Sequence, residues 1–184
     1  ICTSLLTCIC CIFLFTQCTK VPDFRKQKTV YIAGVEIDYS KSASSRAILW
    51  TNGVPAYLTA ENVGSHAENV HVAGKNVYVA GTIASAEGLI ATLWKNEAPI
   101  SLSNPGEQGQ GLSVFATMMK DVYVTGTVIE NGQLRAVLWK NGVRTYLEGE
   151  GGYPFSVYVA GNDVYVTGYA TVNGTSGVIL WKNG

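Results

Sequence analysis

A tyrosine phrase and a tryptophan phrase alternate four times along this chain, and the spacing between copies limits the folds open to it. The tyrosine phrase reads VYIAG at 30–34, VYVAG at 77–81, VYVTG at 122–126 and VYVTG at 164–168. The tryptophan phrase reads ILWTNG at 48–53, TLWKNE at 92–97, VLWKNG at 137–142 and ILWKNG at 179–184. Trp50, Trp94, Trp139 and Trp181 are therefore 44, 45 and 42 residues apart. A period of this size marks an array of like supersecondary units, each completing its neighbour's core.

Within one copy the runs are short and the breaks are turn residues. In the third copy, Phe115–Met118, Val122–Thr127, Leu134–Trp139 and Val143–Leu147 are runs rich in apolar and β-branched residues. Lys120-Asp121, Asn131-Gly132 and Asn141-Gly142 separate them. Asn-Gly is the strongest two-residue hairpin signal. No run has the length or period of a helix. Near-continuous apolar strands are usually covered on both faces. Four such strands per copy predict an all-β fold, a β-propeller of four-stranded antiparallel blades with a repeat of roughly 42–47 residues. A β-sandwich of two hairpin stacks is the alternative, and it would need clearer inside/outside alternation.

Labelled A to D from the propeller axis outwards, the last copy has A at 156–159, B at 164–167 and C at 178–181. The first copy enters at B, and the last ends before D. An incomplete ring of about 3.5 blades is the expectation over residues 29–184, since common rings have more blades. The repeated tyrosines and tryptophans are expected between neighbouring blades, and Lys95, Lys140 and Lys182 as solvated turn residues.

The start of the chain is different in kind. All five cysteines lie in the first 18 positions, so no disulfide or cysteine zinc site can form within the repeats. Leu5–Phe15 is a mostly apolar run of 11 residues, long enough for a signal-peptide core and too short to span a bilayer. The segment 1–18 resembles a bacterial lipoprotein signal, which implies lipidation of Cys18, with 19–28 as a linker. Gln17 stands where such signals carry a small residue, which keeps a plain secreted protein and a membrane anchor open. With no initiator Met and no basic residue before Lys20, a longer natural N-terminus is expected.

The motif VYVTG…AVLWKNG…YL, across residues 29–184, resembles the WKNG-type repeats of bacterial cell-envelope propeller proteins, many of them predicted lipoproteins. That resemblance implies a lipid-anchored protein of the outer membrane or periplasm, or a secreted one. It implies no particular activity. The dipeptides of WD repeats and the paired glycines of kelch repeats are absent.

Residues shared by every copy belong to the scaffold, so function is sought where the copies differ. The connections on one face are D–A at 59–67, 103–111 and 148–154, and B–C at 36–45, 84–88, 129–133 and 171–176. They carry the candidate ligand-binding residues Glu61, His66, Glu107, Gln108, Glu148, Glu150 and Tyr153, with Asn62 beside them. The partner they suit is a glycan, a peptide or a protein. Lys plus Arg and Asp plus Glu number 13 each, and a neutral chain lacks the basic face that nucleic acid requires. No nucleophile elbow, phosphate loop or dinucleotide fingerprint occurs, so no cofactor is expected. His66 and His71, with Glu61 or Glu68, have an irregular spacing for a metal, and none is expected. Glu148 and Glu150 could serve a glycosidase as paired carboxylates. The leading expectation is a non-enzymatic binding scaffold. A glycan hydrolase with carboxylates on the loop face is the second, and a purely structural repeat module the third.

Overall fold

A computed structural model describes residues 28–40 and 44–184. The expected signal segment 1–18, Cys18 and all of the linker but Lys28 lie outside the described residues. What is described folds into fourteen strands in four antiparallel sheets, with no helix. Sheet I holds β1 (Tyr31–Asp38), β2 (Ser44–Thr51) and β3 (Val54–Tyr57). Sheet II holds β4 (Ser65–Ala73), β5 (Asn76–Ser85), β6 (Gly88–Lys95) and β7 (Ala98–Ser101). Sheet III holds β8 (Gly109–Ala116), β9 (Val122–Glu130), β10 (Gln133–Lys140) and β11 (Val143–Tyr146). Sheet IV holds β12 (Glu150–Ala160), β13 (Asp163–Val172) and β14 (Thr175–Lys182). Each sheet is a simple meander. Sheet I contains the B, C and D strands of its copy, and sheet IV the A, B and C strands, as the repeat count requires.

Two boundaries differ from the sequence reading. The A strand of the last copy runs from Glu150, not Ser156, because Glu150 pairs with Thr171 and Tyr153 with Tyr169 across β-bulges. Glu150 and Tyr153 therefore stand on a strand and not in a loop, and His66 likewise lies on β4. Glycine and small residues interrupt the apolar pattern there, while the backbone continues the ladder. The B–C connections are also tighter than expected: Ala86-Glu87, Asn131-Gly132 and Asn173-Gly174 alone separate the paired strands.

Side-chain alternation explains why each copy carries both an aromatic pair and a glycine. Val79 pairs with Trp94, so both project from one face of sheet II, against sheet I. Tyr78, Ala80 and Leu93 project from the opposite face, against sheet III. The pattern recurs one sheet on: Trp139 enters the core between sheets II and III, and Tyr123 and Leu138 the core between III and IV. Trp181 completes the latter core. The indole N–H groups extend the bridging. Trp94 Nε1 donates to the Leu58 carbonyl at 3.2 Å, and Trp181 Nε1 to the Glu148 carbonyl at 2.9 Å.

Each tryptophan ring lies diagonally over the glycine that ends the tyrosine phrase. A Cβ on Gly126 would stand 2.9 Å from Trp139 Cζ3 and would collide with the Gln110 carbonyl oxygen of the bulged A strand. Gly81 and Gly168 are enclosed in the same way by Trp94 and Trp181. Any side chain there would overfill a closed space.

The A strands of sheets II, III and IV lie side by side, β4 against β8 and β8 against β12. Asn69 Oδ1 accepts from the Val114 N–H at 3.0 Å, and Ser113 Oγ from the Val157 N–H at 3.3 Å. His71, Phe115 and Tyr158 occupy the same position in successive A strands, and their rings meet at 4.4 and 5.1 Å between centroids.

The WKNG turns also do more than reverse the chain. Asn52, Asn96, Asn141 and Asn183 adopt left-handed φ values, as a two-residue turn of this hand demands. Their side-chain oxygens accept from the N–H of Val30, Val77, Val122 and Val164 at 2.8–2.9 Å, tying the C–D turn to the start of strand B. In the last two copies an aspartate joins in. Asn141 Nδ2 donates to Asp121 and Asn183 Nδ2 to Asp163. Lys140 and Lys182 reach the same carboxylates at 3.2 and 2.8 Å and lie over Tyr123 and Tyr165. These lysines are structural partners and not simply solvated turn residues, a correction to the sequence reading.

Candidate functional site

The D–A connections and the B–C hairpins converge at one end of the sheets, and the hollows between them differ from copy to copy. The largest lies between sheets III and IV, a cleft of about 810 Å³ lined from β10 by Gln133, Leu134 and Arg135. Its opposite wall is the run Glu148–Gly151, and the hairpin Thr171–Gly174 closes it.

The glycines of EGEGG shape that wall. Gly149 and Gly151 take left-handed φ values of 107° and 57°. A Cβ on Gly149 would stand 2.8 Å from the Ala170 methyl, and one on Gly152 would stand 2.7 Å from the Ala136 methyl. The chain is thus pressed against β13 at Gly149 and against β10 at Gly152, while Gly151 faces open space. Glu148, just before Gly149, and Glu150, between Gly149 and Gly151, remain exposed at the cleft. Across from them the Arg135 guanidinium lies 5.0 Å from the Tyr146 ring centroid. Among the described residues no carboxylate comes within 4.0 Å of it. Among the described residues the cleft therefore offers a guanidinium and two carboxylates with no ion pair, and the amides of Gln133 and Asn173.

The hollows beside the other two D–A connections are smaller, and Arg46 and Glu107 there are paired. Beside sheet I a hollow of about 60 Å³ is lined by β1, β2 and the connection residues Glu61 and Asn62. Arg46, at the position of Arg135, donates from Nε to the Thr59 carbonyl at 3.0 Å and lies 3.6 Å from the Tyr57 ring centroid. Its Nη1 is 3.8 Å from Glu61 Oε1, so the first-copy acid is engaged. In sheet II Ile90 replaces the arginine, and a hollow of about 310 Å³ lies between that sheet and the connection that follows it. There Glu107 is ion-paired with Arg144 and accepts from the Asn104 N–H at 3.0 Å. Gln108 lies against Gly88, and its carbonyl accepts from the Ile129 N–H at 2.8 Å.

The seven candidate residues thus fall into three sets. Glu148 and Glu150 come together in the large cleft. Glu61, Glu107 and Gln108 belong to the packing of the first two connections. His66 and Tyr153 stand apart from both, on the A strands. Glu68 lies between those two: its Oε1 is 3.9 Å from His66 Nδ1. The Tyr153 hydroxyl is held above its ordinary pKa, by burial first and then by the Glu68 charge. His66 and His71 part company, because His71 stacks on Phe115. Burial lowers its pKa. Among the described residues no group of three His, Cys, Asp or Glu side chains gathers to hold a metal ion.

Arg135 is the cleft residue that sequence reading passed over. Its signal is visible, since RAILW at 46–50 and RAVLW at 135–139 place arginine identically in two of four copies. Tyr146 is held by the same cluster. Its hydroxyl donates to Glu130 Oε1 at 2.7 Å, which raises its pKa, and Arg144 flanks it at 5.0 Å.

No family model matches the chain, and no curated protein matches it.

Proposed function

We propose that the chain is an arc of a β-propeller that serves as a binding scaffold, with a hydroxyl-rich ligand of the glycan class held in the cleft between sheets III and IV. The propeller reading is supported by like meander sheets whose A strands lie side by side and whose faces interlock through the same tryptophan and tyrosine. The binding reading rests on one observation. Of the three hollows beside D–A connections, this one holds an arginine and two acids with no ion pair among the described residues. Carboxylates accept from sugar hydroxyls, a guanidinium donates to them, and the flanking amides do both.

The test is titration calorimetry against a panel of soluble oligosaccharides, with charged peptides alongside. A binder is expected among the glycans, and Arg135→Ala or Glu150→Gln should weaken it at least about tenfold, roughly 1.4 kcal/mol. Binding that survives both substitutions, or a panel in which peptides alone bind, overturns the reading. The two carboxylates in one cleft also favour a second reading, a glycan hydrolase. Products released from the binding glycan by the wild type, but not by Glu148→Gln or Glu150→Gln, would establish it. On the scaffold reading Cys18 carries a lipid and holds the arc at the bacterial cell envelope, which mass spectrometry of the mature N-terminus decides.

A further inference from the structure

The A–B turns close the sheets at the end opposite the cleft, and one of them departs from the others. In sheets II and IV the turn is two residues, Gly74-Lys75 and Gly161-Asn162, between paired neighbours. In sheet III the pairing stops at Ala116 and Val122, and the five residues 117–121 make the connection. They carry Met118 and Met119, the only two methionines in the chain. Both stand at the turn, 80% and 92% exposed among the described residues. Beside them lies a hollow of about 650 Å³, lined by both methionines, His71, Phe115 and Val159. Its walls come from A strands and turns of three neighbouring sheets, not from the outer faces of sheets I and IV. In successive A strands the same position holds His71, Phe115 and Tyr158, so only sheet II brings a nitrogen ligand there. Burial favours the neutral imidazole of His71. The ring also hydrogen-bonds the Ala116 backbone, a bond that favours the charged ring, so the carbonyl is its acceptor. A neutral ring held by a carbonyl through one nitrogen keeps a lone pair on the other, which is how metal-binding histidines are oriented.

We infer that His71, Met118 and Met119 form a binding site for a soft monovalent metal ion of the copper(I) class. Thioether sulfur selects such ions and imidazole suits them, whereas hard divalent ions take carboxylate and carbonyl oxygen. The carboxylate that borders the hollow, Asp121, is engaged at both oxygens: Oδ1 accepts from Asn141 Nδ2 at 2.8 Å, and Oδ2 lies 3.2 Å from Lys140 Nζ. Lys75 and Lys120 border the adjoining hollow together with Met118. Their charges oppose a divalent ion about twice as strongly as a monovalent one. The ion enters as copper(I), so binding exchanges no electron. The inference is independent of the glycan reading, because this hollow and the cleft share no lining residue.

The experiment is a nuclear magnetic resonance titration of the full chain, isotope-labelled at the methionine methyls, with silver(I) as an air-stable probe and zinc(II) as the comparison ion. All five cysteines lie in the first 18 positions, and they are blocked first with N-ethylmaleimide so that thiolates do not take the metal. Both methyl signals and the His71 ring signals should shift together and saturate at one equivalent of silver(I), while zinc(II) leaves the methyls in place. Met118→Leu and His71→Gln should each weaken silver binding at least about tenfold. The leucine variant alters an exposed turn residue, so its circular dichroism should match that of the wild type. Methyl signals that stay in place at several equivalents, that move without His71, or that respond equally to zinc(II) would each overturn the inference. A Met118→Leu chain that binds silver(I) like the wild type would overturn it as well.

Discussion

Replacing Trp139 by alanine tests whether the repeated tryptophan welds neighbouring sheets together. Its side chain is 1% exposed in the core between sheets II and III, and its ring closes over Gly126. Truncation would leave a cavity walled by β-sheet on both sides. Removing a buried tryptophan typically costs about 3–5 kcal/mol, the cavity adding to the lost transfer energy. For a chain of this size that corresponds to a fall in Tm of roughly 6–20 °C. Trp50 supplies the internal control. It has the same sequence context and lies over Gly34, but its face has no sheet against it among the described residues. Trp50→Ala should therefore cost less than about 2 kcal/mol, as expected of a half-buried aromatic. Urea unfolding followed by circular dichroism measures both, because that signal does not depend on the residue removed. A cost below about 1 kcal/mol for Trp139→Ala, or equal costs at the two positions, would refute the packing argument.

Two further changes follow from the turns. Glu97 stands where the other copies of the turn have glycine, yet it holds a φ of 70°. Left-handed backbone is strained for a residue with a Cβ, so Glu97→Gly should stabilise the chain by about 0.5–1 kcal/mol in thermal unfolding; a loss of stability would contradict the turn assignment. Asp163 receives hydrogen bonds from Lys182 and Asn183, which hold its carboxyl below the usual aspartate range. Its contribution is therefore present above the unfolded pKa and is lost as pH falls through the lower folded value. Asp163→Asn should reduce stability at neutral pH and converge with the wild type in strong acid, and parallel stability–pH curves would count against the pairing.

The scaffold was legible because its residues recur. Trp, Tyr and Gly at fixed offsets gave the repeat, and the number of strands in each end sheet followed from where the phrases begin and end. The lock beneath the WKNG turn was harder to see. Asp163 and Lys182 are 19 residues apart, and each alone looks like an ordinary turn residue. Asp121 and Lys140 have the same separation. EGEGG read as a loop for a related reason. Glycine tells how close the backbone can approach, but not what it approaches, and here that is a neighbouring strand. Glu148 and Glu150 could be picked as cleft acids because they face solvent between glycines. Glu107 looked equivalent in sequence, and it is spent on Arg144, a residue 37 positions later whose role no local pattern announces.

The copies themselves act as an alignment that separates scaffold from site. In the first copy Thr29 and Thr51 replace the aspartate and the lysine together, and the asparagine bond to Val30 remains. In the second, Asn76 replaces the aspartate while Lys95 stays over Tyr78 and Asn96 bonds Asn76. The ion pair is thus an addition to a turn that the asparagine already holds, and it varies without changing the fold. The arginine near the start of strand C varies differently. Arg46 is tied down by Thr59 and Glu61, whereas Arg135 faces Glu148 and Glu150 across open space. The same side chain in the same register closes one hollow and leaves the other open, and beside the open one Gly149 and Gly152 hold the wall against β13 and β10. The difference between a packed connection and an open cleft therefore resides in one D–A connection. Gly152→Ala should therefore disturb cleft and core together, since its methyl would meet Ala136, which packs in one core with Trp181; a variant that melts like the wild type would contradict that close approach.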